Sequence, residues 1–393
     1  MPPRSSRIPV VVCASVAVAL LATGHAAAGQ AKVGQVPPEP AASAGGPAKR
    51  DRSGEEIFRW ACAACHGADG KGAPLSQVGF DDPPLPDFTD CAFNTPEVAA
   101  DWFAIAHEGG PVRAFSRRMP AFGDALTEAE VDRAVTYVRG FCDDPHWPRG
   151  ELNFPRSLVT EKAFPENEAL LTTSIQKGAG REFTNEILYE RRIGARSQFE
   201  IAVPLAMQGS SEGDRWFRGL GDVAVAFKRV LFHSLDSGSI LSVGGEVALP
   251  TGKESEGLGA GVMRFEPFVA VGQMLRGNAF VQAQAGAEIP RLRDRAETEV
   301  FWRGVAGTTF MQGGFGRSWT PMLELAAVRE MERGKRVEWD VLPQLQVSLS
   351  KRQHILAAGG IRIPLTERDG RHMQVLTYLL WDWFDGGLRD GWR

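Results

Sequence analysis

Beyond about residue 167, apolar and polar side chains take turns along the chain. In Val337-Glu338-Trp339-Asp340-Val341-Leu342-Pro343-Gln344-Leu345-Gln346-Val347-Ser348-Leu349 the odd positions are apolar and nearly every even one is polar, the period of a strand with one wet face. The pattern recurs, less strictly, over 198–205, 241–249, 263–271, 279–289 and 355–363. Such runs outlast the roughly five or six residues of a globular strand and approach the about nine to eleven that a tilted strand needs to cross a bilayer. Twelve strands are predicted, centred near residues 172, 188, 201, 225, 244, 268, 284, 304, 323, 343, 359 and 379. Short turns such as 194–196, 276–278 and 350–352 follow several even-numbered strands, and longer polar loops such as 208–219 and 251–259 follow several odd ones. An even strand count with one short-turn rim and one long-loop rim predicts an antiparallel up-and-down β-barrel of about 12 strands over residues 167–393.

The amino-terminal part has a different period. Gly54-Glu55-Glu56-Ile57-Phe58-Arg59-Trp60 reads as a short amphipathic helix. Thr127 and Glu130 have the spacing of an N-cap and its N3 partner, and Val131, Ala134, Val135 and Val138 continue an apolar face. These signals predict an all-α domain over 53–143. After it, Pro145, Pro148, Pro155 and Pro165 mark 144–166 as a semi-rigid Pro-rich linker. Before it, 29–52 is rich in Ala, Gly and Pro and is expected to be a disordered leader. Arg4 and Arg7 precede an apolar run over 8–22 and then Ala26-Ala27-Ala28, so 1–28 reads as a signal peptide.

The candidate chemistry lies in Cys62-Ala63-Ala64-Cys65-His66. This spacing lets two thiols bond to the vinyl groups of a haem while the adjacent histidine lies under the iron. A sixth ligand is then needed, and Met119 is the only methionine between Ala26 and Ala206. It precedes Pro120, which restricts the backbone there; simple core packing is the plainer role for the same side chain. His107 and His146 are rival ligands, although the first adjoins Glu108-Gly109-Gly110 at a predicted helix end and the second stands between prolines, both surface settings. Cys13 belongs to the export segment. Cys91 and Cys142 remain, either as a disulfide formed in an oxidising compartment or as two buried thiols. A zinc site from Cys62, Cys65, Cys91 and Cys142 would leave His66 and Met119 without a role.

Taken together, residues 53–143 resemble a class I monohaem c-type cytochrome: a first helix carrying Cys62, Cys65 and His66, a middle helix, a methionine loop and a closing helix. The resemblance covers roughly a quarter of the chain. It implies one covalently attached haem c, with Cys62 and Cys65 as attachment points and His66 and Met119 as iron ligands. By general pattern, including Gly219-Leu220-Gly221-Asp222-Val223, residues 167–393 resemble bacterial outer-membrane barrels of the transporter type. Trp302, Trp319, Trp339, Trp381 and Trp383 fall near strand ends, as interfacial girdles do. Pro204, Pro250, Pro290 and Pro364 lie where strands run into loops, and Trp392 is penultimate where such barrels commonly finish on an aromatic residue. The combination implies a Gram-negative outer membrane, lipid around the barrel, and the cytochrome domain in the periplasm among redox-protein partners.

Composition narrows the field. With 44 basic and 48 acidic residues and a net charge of −4, nothing favours nucleic acid, and 43% hydrophobic content suits an alternating barrel. On the non-lipid face, Glu200, Glu246, Glu266, Glu288, Glu324, Glu338 and Asp340 outnumber Arg264, Arg303 and Arg362. They predict an acidic lumen, or neutralised pairs inside a plugged one. The expected function is one-electron transfer in the periplasm by a carrier tethered to the outer membrane. The alternative is a pore whose haem domain is a redox gate or docking module. Catalysis is not expected, because both axial positions would be filled and no acid/base set accompanies them. A domain of about 90 residues has a radius of gyration near 12 Å, too large for the lumen. One haem below roughly 30 Å of hydrocarbon would also need a second carrier.

Overall fold

A computed structural model describes residues 51–80, 85–176, 182–209 and 216–382. The expected signal peptide, residues 29–50 of the leader, Trp383 and Trp392 lie outside the described residues. In chain order the strands are β1 (Glu168–Gln176), β2 (Glu182–Ile193), β3 (Ser197–Gly209), β4 (Trp216–Leu220), β5 (Val223–Ser234), β6 (Ser239–Leu249), β7 (Arg264–Met274), β8 (Ala279–Pro290), β9 (Glu299–Thr308), β10 (Phe310–Met311), β11 (Ser318–Glu330), β12 (Glu338–Ser348), β13 (Ile355–Pro364) and β14 (Gln374–Asp382). The short β4 folds back on β3, and the two-residue β10 pairs with β11. The other twelve form one antiparallel sheet that closes where β14 pairs with β1 and β9 with β11. Each predicted strand centre falls within one of these twelve.

The alternation sorts side chains between two faces. On β8, Phe280, Gln282 and Gln284 are buried while Val281, Ala283 and Ala285 are exposed; on β12, Asp340, Leu342, Gln344 and Gln346 point in. Outside, Leu171 is opposite Ile187, Val269 opposite Ala285 and Ile361 opposite Val375, all six exposed. A continuous apolar outer wall of this kind suits lipid rather than water. Trp302 and Trp339 meet edge-on at 5.7 Å towards the long-loop rim, and Trp319 and Trp381 lie at the other ends of their strands.

The interior is filled by the segment expected to be a linker. Residues 144–166 are not a spacer, because from Leu152 onward they enter the barrel. Leu152, Phe154, Ala163 and Phe164 join a buried cluster with Val230, Ile240, Phe268, Phe280, Phe301 and Met322 of the wall. The backbone of this plug has no strand or helix over 155–166, so its polar groups need other partners. Side chains of the wall supply them. Gln282 donates to Pro155 O (2.8 Å), Tyr378 to Arg156 O (2.7 Å) and Lys228 to Lys162 O (2.8 Å). Gln344 accepts from Leu158 N–H at 3.0 Å, Gln284 from Glu161 N–H at 3.1 Å, and Glu324 from both Thr160 N–H and its hydroxyl.

Charge is matched in the same way. Arg156 of the plug bonds Glu168 at 2.7 Å and also Glu190, and Lys228 of the wall bonds Glu161 of the plug. Glu161, Glu190 and Glu200 converge as three carboxylates, but Arg156 and Lys228 lie among them as counter-cations. Of the acidic residues predicted for the lumen, Glu200, Glu324 and Asp340 are buried, Asp340 against Arg362 and Arg371. Around the plug the lumen is therefore packed and charge-paired.

The amino-terminal domain is helical, in short pieces. Residues 54–66 form one continuous helix whose middle, Phe58–Cys62, is a π-turn, started by a capping box of Ser53 and Glu56. Short helices Leu75–Val78 and Cys91–Asn94 follow, then Ala99–Glu108 and Glu128–Arg139. The last begins with Thr127 and Glu130 in a second capping box. Cys91 and Cys142 form a disulfide with Cα atoms 5.2 Å apart. The domain rests on the short-turn rim. Glu97 bonds His354 at 2.7 Å, Arg352 lies over the Phe115 ring at 4.2 Å, and Arg192 lies over Trp147 at 4.6 Å.

Breaking the plug's charge pairing tests this fold. Arg156→Ala leaves Glu168 and Glu190 buried without their cation and is expected to lower barrel stability by about 3–5 kcal/mol. A urea midpoint in detergent checks it, and an unchanged midpoint would mean that these carboxylates are solvated.

Candidate functional site

Ile57 and Phe58, both fully buried, anchor the inner face of the first helix and bring its last turn against the domain core. That turn carries Cys62, Cys65 and His66. Both cysteines are free thiols, half-buried. The glycine-rich turn after them folds straight back: Gly67 has φ +73°, Ala73 N–H bonds Cys65 O at 2.7 Å, and Gly72 N–H bonds His66 O at 2.8 Å. A side chain at Gly67 would meet Gly72 O at 3.2 Å, so this turn needs glycine for both space and backbone angle.

The His66 ring stacks on Phe88 with centroids 4.8 Å apart, and Phe88 meets Trp102 edge-on at 5.5 Å. Burial pulls the imidazole down to about 4, so it is neutral near pH 7, the form that ligates a metal. Its Nδ1 is buried with no hydrogen-bond partner. Burial, with the Cys65 thiol beside it, pushes Cys62 up to about 11. An orphaned neutral imidazole one turn from two free thiols fits a covalently held haem. The disulfide occupies Cys91 and Cys142, so a four-cysteine zinc site is not formed.

Met119 lies half-buried in a loop laced to the end of the Ala99–Glu108 helix. Gly110 N–H bonds Met119 O, Phe122 N–H bonds Ala106 O and Gly123 N–H bonds His107 O, each at 3.0 Å. Close approach explains the glycines: a side chain at Gly110 would meet Met119 Cβ at 3.1 Å, and one at Gly123 the His107 ring at 2.6 Å. The same helix carries Trp102, whose ring reaches the Phe88 that stacks on His66. One helix thus touches the support of both candidate ligands. The rivals are engaged elsewhere: His107 Nδ1 pairs with Glu108 at 2.8 Å, and the exposed His146 pairs with Asp144 at 2.7 Å. Phe88 and Trp102 carried no periodic or motif signal, and their role emerges only from packing.

Residues 49–138 match the family described as cytochrome c oxidase, cbb3-type, subunit III. This segment is a c-type cytochrome domain. Among solved structures, the barrel is similar to the KdgM porin, 10% identical over 55% of this chain and 99% of that one, TM-score 0.37. It is also similar to an outer-membrane channel from Pseudomonas putida F1, 11% identical over 58% and 98%, TM-score 0.41, and to the NanC porin, 9% identical over 55% and 98%, TM-score 0.38. No curated protein matches the chain. The chain joins a c-type cytochrome domain to a closed twelve-stranded antiparallel barrel.

Two outcomes check the attachment site. Reduced protein is expected to show a c-type spectrum and to keep its haem through acid extraction, and Cys65→Ala to weaken that retention. Freely extracted wild-type haem would rule out thioether bonds.

Proposed function

We propose that this protein is a periplasmic one-electron carrier held at the outer membrane by a plugged barrel. The observation that carries the reading is the last turn of the first helix, where two free thiols and a half-buried, neutral His66 with an unpartnered Nδ1 lie within a segment of cytochrome sequence. Cys62 and Cys65 would hold one haem c, with His66 and Met119 as its axial ligands. When bound, the haem supplies reversible one-electron chemistry, with a potential raised by thioether ligation.

The protein's own residues do the rest. Phe88 fixes the rotation of the His66 ring by stacking, and the lacing of 119–123 to 106–110 fixes where the methionine can reach. Phe58, Phe88, Val138 and the aromatic side chains around them keep water from this side of the site. With both axial positions taken, the site has no open position for a substrate, which favours a carrier over an enzyme. Its partners would be periplasmic redox proteins that dock, exchange an electron and leave.

The barrel supports an anchoring role. Its apolar outer wall suits lipid, and its short-turn rim, the periplasmic one in outer-membrane barrels, carries the cytochrome domain. That is the compartment in which a disulfide between Cys91 and Cys142 persists. A lumen filled by 152–166 argues against the gated-pore alternative. In planar bilayers the full-length protein is expected to show no steady conductance in either redox state, and replacing 155–166 with a Gly/Ser segment of equal length to open one. Conductance that follows the haem redox state would instead favour the gate. Recovery of the protein in a soluble periplasmic fraction without detergent would defeat both readings.

A further inference from the structure

We propose that Phe315, on the barrel rim, is a positioning residue for the axial methionine of the cytochrome domain; this rests on the haem reading above. Phe315 lies in the turn between β10 and β11. Its ring stacks on Phe103 at 6.3 Å and lies tilted against His107 at 5.6 Å, and Phe103 and His107 themselves stack at 5.5 Å. Its carbonyl accepts from Arg113 at 2.6 Å, and Arg113, only 3% exposed, is fixed by Asp101 at 2.7 Å. Ring and backbone of one barrel residue are therefore held by three residues of the cytochrome domain, one of them fixed in turn by Asp101.

What those residues hold is the methionine loop. The His107 ring fills the space over Gly123, where a Cβ would come within 2.6 Å of it. His107 O accepts from Gly123, Ala106 O accepts from Phe122, and Gly110 donates to Met119 O. The three-ring cluster thus packs the barrel against the end of the helix to which the loop is laced. Without the Phe315 ring, His107 loses one of its two ring neighbours and can swing away from Gly123. The loop then gains freedom where its methionine must reach the iron. A loosened thioether favours the ferric state, because thioether ligation is what raises the potential. Docking on the barrel thus tunes the haem as well as tethering it.

The test uses the full-length protein in detergent, comparing wild type with Phe315→Ala, Phe315→Leu and Phe315→Tyr. Covalent haem content and the gel mobility of the folded barrel are measured for each. In Phe315→Ala the near-infrared charge-transfer band of ferric methionine-ligated haem is expected to weaken. At a solution potential fixed at the wild-type midpoint, the reduced-to-oxidised ratio should fall by about twofold to tenfold, the range one aromatic contact carries. Phe315→Leu should show a smaller fall and Phe315→Tyr should restore both readouts. If haem and barrel are intact and Phe315→Ala and Phe315→Leu both match wild type, this proposal alone is overturned. If wild-type haem extracts freely, the cytochrome reading falls and takes the proposal with it.

Discussion

The structure depends on satisfying an irregular backbone inside a closed barrel. Residues 155–166 have no ladder or helix to pair their N–H and C=O groups, and buried groups left unpaired cost about 1–3 kcal/mol each. Gln282, Gln284, Gln344, Glu324, Lys228 and Tyr378, from five different strands, provide those partners. Because each is fixed to a particular strand, the plug has one register within the barrel. The ion pairs add to this specificity: Arg156 with Glu168 and Glu190, and Lys228 with Glu161, tie the plug to fixed positions of the wall.

The plug also fixes the cytochrome domain. Chain that leaves the lumen at Leu152 enters the domain within a few residues, through Gly150, whose N–H bonds Thr95 O at 2.7 Å, and through Glu151, which pairs with Arg139. No flexible spacer intervenes. The domain is held by this continuity and by rim contacts at Glu97, Phe103 and Phe115, so its orientation on the barrel is built into the fold. A carrier of the proposed kind, fixed in this way, would meet partners at a defined face rather than sweep a volume on a tether.

Much of this was legible in the residues. Strand centres were readable because alternation is local and each strand's neighbours follow it in sequence. The Thr127–Glu130 box was readable because its partners are three residues apart, and Cys62-Ala63-Ala64-Cys65-His66 because its geometry needs only one helical turn. Prolines misled the reading of 144–166, since the same residues that stiffen a linker also suit a buried segment that forms no ladder. Its partners were invisible to any local pattern: Glu324 is 164 positions from Thr160, and Gln344 is 186 from Leu158.

The sequence by itself determined what short-range geometry can encode: the strand period, the even count, the helix caps and a spacing suited to two thioether bonds. Only the tertiary structure decided that a plug enters the barrel and pairs Arg156 and Glu161 with charges of the wall, that Phe88 and Trp102 support His66, and that Phe315 of the barrel packs on the helix end to which the methionine loop is laced. The physical reason is chain distance. Contacts between residues scores to hundreds of positions apart are chosen by closure of the barrel, which brings together side chains that no window along the sequence contains.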